Sequence, residues 1–363
     1  MRVVVKIGSS SLTDTSGGVD HAAIERLSEQ LGVATKAGHQ IVLVSSGAVA
    51  SGLPVLGLAN GVRPTDTRTL QAIASVGQAR LMHSWNEAFS SEGLIAGQVL
   101  MAPRDFMVRA QYLQARGTLE RLIELGVIPI VNENDTVAND EIRFGDNDRI
   151  AALVAHLVYA DLLVMLTDIP GLMDADPRFD DSASLIEEVE EVDADLEALA
   201  GGAGTVRGSG GMATKLAAAK MASWSGVRVL IGSASRPGIV MDAINGVSGV
   251  GTSVKALDKR LSARKLWIAF AVPAMGKLVV DAGAAKAVTT SGRSLLAAGV
   301  IDVVGDFAEE DAVDVVDEDG ALLAKGLTHR SATAVRAIAG RRSDELTYGS
   351  GEIIHRDSLV ILA

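Results

Sequence analysis

The run Arg2-Val3-Val4-Val5-Lys6-Ile7, broken by Gly8-Ser9-Ser10-Ser11, decides the fold. It is short, mostly β-branched and apolar at successive rather than alternate positions, the pattern of a strand covered on both faces. Outward from it, Asp20–Lys36 has helical spacing through Ala23, Leu27, Leu31 and Ala34 and closes at Gly38, and Gln40–Ser45 (QIVLVS) is a second strand. The alternation goes on. Asp66–Phe89 and Arg109–Leu125 read as helices, Leu94–Leu100, Val127–Asn132 and Leu162–Thr167 as strands, then Thr214–Ser225 as a helix and Val227–Ile231 as a strand. Near-continuous apolar strands separated by helices predict an α/β unit, a mostly parallel sheet with helices on both faces. In such sheets ligands sit beyond the carboxyl ends of the strands.

The character changes near Ala256. Leu257–Lys265 (LDKRLSARK) is charged and reads as a domain edge; short Gly-punctuated apolar runs follow, with helical features near Ala284–Thr290 and Ser331–Ile338. That is the pattern of a small β-rich domain. The expected boundaries are 1–257 for the α/β domain, 258–274 for a linker and 275–357 for the β-rich domain.

Composition removes several classes of function. The chain has 363 residues, no cysteine and a formal net charge of −12. Disulfides, thiolate catalysis and Cys-based metal sites are excluded, and a nucleic-acid binder would ordinarily be basic. No run approaches the roughly 20 apolar residues that span a bilayer. The N-terminus lacks the apolar core and cleavage site of a signal peptide. A cytoplasmic location and no membrane association are expected. The six histidines are scattered without metal-ligand spacing, no serine-hydrolase elbow occurs, and Trp85, Trp224 and Trp267 read as core or interface.

The motifs with chemical content lie at strand ends. Lys6 before the Gly8/Ser9 loop can place an ammonium on a phosphate while the loop N–H groups bond the same anion; a polar turn is the alternative. Ser45-Ser46-Gly47-Ala48 follows the second strand and enters a helix, whose N-terminal N–H groups hold anions; a simple cap by Ser46 is the other reading. Asn132-Glu133-Asn134-Asp135 and Phe144-Gly145-Asp146-Asn147-Asp148-Arg149 bracket a hairpin-like excursion, Thr136–Arg143. Asx turns explain some of these residues, but six Asn or Asp in adjacent loops exceed that need and offer donors for a carboxylate and acceptors for an ammonium. Thr167-Asp168-Ile169-Pro170-Gly171 is, alone, an ordinary strand exit. Gly208-Ser209-Gly210-Gly211-Met212-Ala213-Thr214-Lys215 fails the P-loop spacing but can wrap a phosphate, with Lys215 one turn into the helix. A flexible glycine loop is the alternative.

In this order the blocks KIGSS, SSGAVASG, NENDTV, FGDND, LTDIPGLMDADPR and GSGGMATK resemble the amino acid kinase family. The likeness is greatest to its glutamate-phosphorylating branch, which opens proline biosynthesis. KLVVDAGAAKAV, SLLAAGVIDVVGDF and DAVDVVD resemble a PUA domain, which that branch carries. The resemblance implies a three-layer α/β/α kinase domain plus a small β-rich PUA domain, and ATP-dependent phosphorylation of the L-glutamate γ-carboxylate. It implies that Lys6 and Lys215 contact the ATP phosphates and that Asp148 organises them. Ser46, Asn132, Asp135 and Asn147 would bind glutamate. Gly8, Thr167, Asp168, Ser209, Gly210, Gly211, Met212, Ala213, Thr214 and Lys215 would line the nucleotide site. Mg²⁺ is implied as cofactor without assignable ligands. Proline is implied as feedback inhibitor, a homodimer or homotetramer as the assembly, and glutamyl-phosphate reductase as a partner. Ser209 stands where the family more often has Thr, and Ser9 likewise; both keep the hydroxyl.

Two rival readings remain. One is a kinase of the same fold acting on acetylglutamate or aspartate, against which stand the PUA-like tail and the paired Asn/Asp blocks. The other is an RNA-binding protein. Residues 276–357 hold 9 Lys+Arg and 14 Asp+Glu, a net of −5. Phosphate neutralisation dominates RNA affinity, so RNA is not an expected partner.

Overall fold

The computed structural model describes all residues except 15–16, 59–63, 103–104, 107, 138–146, 176–179, 181, 202–210, 258–260, 343–350 and 363. The described chain divides into two compact units, Met1–Arg260 and Leu261–Ala363.

The first unit is built on eight strands: β1 (Arg2–Ile7), β2 (Gln40–Ser45), β3 (Ile95–Met101), β4 (Val127–Glu133), β5 (Leu162–Thr167), β6 (Glu188–Val189), β7 (Arg228–Ser233) and β8 (Thr252–Val254). They form one sheet in the order β3-β4-β2-β1-β5-β7-β8-β6. Every pairing is parallel except β7 with β8, which is antiparallel. Val3, Val4, Val5 and Leu162 through Met165 are fully buried, as strands covered on both faces must be.

Helices α1 (His21–Lys36), α2 (Ala48–Gly52) and α3 (Thr67–Ser91) follow the early strands. Asp20 caps α1 by accepting from the Ala23 N–H, and Asp66 caps α3 by accepting from Thr69. These bonds satisfy helix-terminal donors that the helix itself leaves open. Ile24, Leu27 and Leu31 of α1 and Leu81, Trp85 and Phe89 of α3 join one core with Val3, Val5, Ile7, Leu43, Ile130, Val164 and Leu166. Alternate strand positions, such as Val4, face the other way. Further helices are α4 (Arg109–Glu124), α5 (Asn147–Leu157), α6 (Ala194–Gly201), α7 (Met212–Ser223) and α8 (Ile239–Asn245). In α5 every residue from Ile150 to Ala155 is buried. A Cβ on Gly77 would stand 1.8 Å from the Ala48 carbonyl oxygen, so the missing side chain lets α3 touch α2. That contact fixes the loop at the end of β2.

In the second unit a five-stranded sheet runs β11 (Val300–Gly305), β9 (Gly276–Val280), β12 (Ala312–Val316), β13 (Leu322–Leu327), β15 (Leu359–Ile361), and β10 (Leu295–Leu296) pairs with β14 (Glu352–Ile354). Only β9 and β12 pair in parallel. Helices Ala282–Thr289 and Ala332–Ile338 are capped by Asp281 and Ser331. Their apolar faces close a core with Leu278, Val280, Val313 and Val315.

Two readings meet differences here. The helix after β2 is only five residues long, and its N-cap is Gly47 at φ +112° rather than Ser46. A left-handed residue lets the chain turn at once from β2 into α2, which leaves the Ser46 side chain for other bonds. The hairpin reading of Thr136–Arg143 falls mostly outside the described residues; Asp135–Val137 forms a single 3-10 turn.

Candidate active site

The motif-bearing strands β4, β2, β1 and β5 are neighbours, and their registers align Ile7 with Ser45 and with Leu166, and Val44 with Val131. Their carboxyl ends therefore open on one edge of the sheet. Neighbouring parallel strands bring together residues far apart in sequence, which is why such edges hold sites.

One cluster is charged. Lys6, near the end of β1, is 4% exposed, Asp148 in the first turn of α5 is 0% exposed, and Lys215 in the first turn of α7 is 6% exposed. Lys6 Nζ lies 2.5 Å from Asp148 Oδ1 and Lys215 Nζ 3.4 Å from Oδ2. Thr214 Oγ1 lies 3.1 Å from Asp148 Oδ2 and 2.8 Å from the Gly211 carbonyl oxygen. The N-terminal end of α5 favours the carboxylate through its unpaired N–H groups. Two ammonium groups meet at one carboxylate, which sets both cations at the strand-end edge of the sheet. Two ammoniums held at one point are suited to an anion placed between them. A Cβ on Gly8 would stand 3.3 Å from Lys6 Nζ, so the glycine keeps the space beside that ammonium open.

The second cluster is an amide network that continues from the first through adjacent residues Asn147 and Asp148. Asn147 Nδ2 donates to Ser46 Oγ at 2.8 Å and to Asn132 Oδ1 at 2.9 Å. Asn132 Nδ2 donates to Gln78 Oε1 at 2.8 Å. Behind them, Trp85 Nε1 donates to Ser45 Oγ at 2.9 Å, tying the end of β2 to the core. Asp135 opens the 3-10 turn two residues beyond β4, and burial pushes its carboxyl from 3.8 up to about 6. A carboxylate held in so poorly solvated a place gains most from a cationic partner.

At the end of β5, buried Thr167 donates from Oγ1 to Asp168 Oδ1 at 3.0 Å, and its carbonyl accepts from the N–H of Ala234, the residue after β7. Gly211 is the extended residue before α7, with Met212 and Ala213 opening the helix. Ser209 and Gly210 lie outside the described residues. The structure thus brings Lys6, Asp148, Thr214 and Lys215 together, and Ser46, Asn132 and Asn147 together. No hydrogen bond among the described residues links Asp135 to either cluster. A groove of about 390 Å³ between α1 and α3, lined by His21, Arg26, Glu29 and Glu87 among others, shares no residue with the clusters. Among the described residues no three His, Asp or Glu side chains converge to hold a metal ion, and no helix is long and apolar enough to cross a membrane.

Sequence reasoning missed Gln78 and the Trp85–Ser45 bond. The available signal was Gly77: glycine is unfavourable inside a helix and marks a close contact there, and a polar side chain follows it directly.

The amino acid kinase family profile matches residues 1–233 and the PUA domain profile residues 276–348. A glutamate 5-kinase of Frankia casuarinae is 49% identical, with 99% of this chain and 96% of that protein covered. Glutamate 5-kinases of Nocardia farcinica and Burkholderia multivorans are 46% and 44% identical, each covering 99% of this chain, with 96% and 98% of those proteins covered. A solved isopentenyl phosphate kinase superposes at TM-score 0.49 and 19% identity, covering 70% of this chain and 100% of that one.

Proposed function

The chain belongs to the amino acid kinase family, and from that premise we propose that it transfers the γ-phosphoryl group of ATP to the γ-carboxylate of L-glutamate. The product is L-glutamyl 5-phosphate, the entry to proline biosynthesis. The observation that carries this reading is the buried Lys6–Asp148–Lys215 trio continuing, at Asn147, into the amide network around Ser46. It provides a place for a transferring phosphoryl group next to a place for an amino acid.

The acceptor needs no general base, because a glutamate side chain with pKa ~4.3 is already ionised at neutral pH. One γ-carboxylate oxygen attacks the γ-phosphorus in line. The bond from that phosphorus to the β,γ-bridging oxygen breaks, and ADP leaves with the electron pair. What the protein supplies is alignment and compensation of charge on the moving group. In this proposal Lys6 and Lys215 flank that group, and Asp148 holds the two ammoniums apart and oriented. Ser46, Asn132, Asp135 and Asn147 bind glutamate, with Asp135 accepting from the α-ammonium. Gly8, Thr167, Asp168 and Ser209 through Lys215 receive the nucleotide. The described residues offer no cage for Mg²⁺, which binds through phosphates and few protein groups; the ion enters with ATP as part of the substrate, and no residue here is assigned to it.

The same proposal places the kinase domain at 1–257, a linker at 258–274 and the PUA domain at 275–357. It includes a cytoplasmic location, a homodimer or homotetramer, proline competing with glutamate as feedback inhibitor, and hand-over of the labile product to glutamyl-phosphate reductase. RNA is no part of it, given the net charge of −5 over 276–357.

The test offers L-glutamate, L-aspartate and N-acetyl-L-glutamate in turn with Mg-ATP, and traps acyl phosphate with hydroxylamine. Hydroxamate formed with glutamate, and lost in Lys215→Ala, is the expected result. Turnover only with another acid would retain the phosphotransferase and remove the substrate.

A further inference from the structure

The amide network has a fixed direction that leaves two groups over. The Glu133 backbone N–H can only donate, and at 2.9 Å it faces Asn132 Oδ1. The same oxygen accepts from Asn147 Nδ2, whose NH₂ also faces the Ser45 carbonyl, a group that can only accept. Asn132 therefore has only its NH₂ to offer Gln78, and Gln78 must present Oε1 to it. This order is dictated by backbone groups whose roles admit no flip. It strands one donor, Gln78 Nε2, and one acceptor, Asn147 Oδ1. Both are shielded from solvent, and neither has a hydrogen-bond partner among the described residues.

Buried polar atoms without partners are rare, because each loses water and gains nothing. Here the pair is one donor and one acceptor beside the Ser46 loop, where the head of an amino acid would lie. A zwitterionic head carries the complement: a carboxylate that only accepts and an ammonium that only donates. Gln78 is held in place by the Gly77–Ala48 approach, so its amide sits on rigid backbone. We propose that Gln78 Nε2 donates to the α-carboxylate of the amino-acid substrate, making Gln78 a specificity-determining residue that selects for that group. Asn147 Oδ1 accepts from the α-ammonium. The inference rests on the phosphoryl-transfer reading above and extends it to a residue that reading does not use.

The test is Gln78→Glu, which keeps an acceptor for Asn132 Nδ2 and replaces the leftover donor with an acceptor. With L-glutamate, KM rises roughly ten- to hundredfold, the loss expected for one hydrogen bond to a charged group. The KM for ATP and the kcat stay within about twofold of the wild-type values, the pattern of a lost ground-state contact. The control ligand is 4-aminobutyrate, which keeps the reacting carboxylate and the amine but lacks the α-carboxylate. Its kcat/KM as substrate does not fall in the variant, and its inhibition constant against glutamate does not rise, because the added carboxylate meets no anion. Equal losses for glutamate and 4-aminobutyrate, a parallel rise in the KM for ATP, or an unchanged KM for glutamate would each overturn the proposal. If Gln78→Glu does not fold, Gln78→Met removes the donor, and with it the acceptor of Asn132 Nδ2, without adding charge; the KM for glutamate then still rises more than that for 4-aminobutyrate. Absence of glutamate turnover in the wild-type arm would overturn the functional reading itself, and is seen without any variant.

Discussion

Asp135→Asn is expected to make the protein more stable and the enzyme worse. Burial raises the Asp135 carboxyl from 3.8 to about 6, so the folded state opposes its ionisation. A folded-state value above the unfolded one means that the group's contribution is most favourable below about pH 4 and is lost as pH rises through about 6. Above pH 6 the wild-type protein carries a cost that an amide of the same shape does not. The displacement of about two units corresponds to about 3 kcal/mol at most, and partial solvent contact reduces the expected gain to about 1–2 kcal/mol. The gain shrinks by roughly two-thirds by pH 4.5. Thermal unfolding of both proteins at pH 8 and pH 4.5 checks this, with an upward shift in Tm for the variant that is larger at pH 8. Binding moves the opposite way. A substrate ammonium needs the ionised form, so the KM for glutamate rises in the wild-type enzyme as pH falls below about 6, and is high at every pH in Asp135→Asn. A variant less stable at pH 8, or equally shifted at both pH values, would show that the Asp135 carboxylate is not held at a cost in the folded protein.

Asp148→Asn leaves the Lys6 and Lys215 ammoniums together without the carboxylate between them. Breaking a buried ion pair costs about 3–5 kcal/mol; denaturant unfolding should show it, and kcat should fall with it. Gly77→Ala places a Cβ 1.8 Å from the Ala48 carbonyl oxygen, forcing α3 from α2. Overpacking of this kind costs about 1–3 kcal/mol, and because the Ser46 loop and Gln78 move apart, the KM for glutamate rises more than the KM for ATP.

Much of the first unit was legible because β1, β2, β4 and β5 are covered on both faces, so their apolar runs are nearly unbroken. β6 and β8, of two and three residues, are too short to carry a period. The antiparallel pairing of β7 with β8 depends on a contact that no local pattern encodes. Lys6, Asn132 and Asp135 were legible because each sits where a strand gives out into a polar loop, and Asn147, Asp148 and Lys215 because each opens a helix after a Gly-containing stretch. The role of Gln78 was not. It lies inside a helix, 54 residues from the Asn132 it meets, and is brought there by a close approach of two backbones. The difference at Ser46 has a similar origin: a left-handed Gly47 starts the helix one residue later, and the Ser46 hydroxyl accepts from Asn147, 101 residues away.

In the proposed reaction a glutamate oxygen, not water, receives the phosphoryl group between Lys6 and Lys215. L-Glutamate carrying ¹⁸O in its γ-carboxylate distinguishes the two acceptors. The enzyme is run with Mg-ATP and hydroxylamine, and the released phosphate is read by ³¹P NMR. Attack by the carboxylate makes one labelled oxygen the bridge of the acyl phosphate, and hydroxylamine then expels it with phosphorus, so each phosphate should carry one ¹⁸O. Unlabelled phosphate formed at the rate of ATP consumption would mean that water is the acceptor and that glutamate is not phosphorylated.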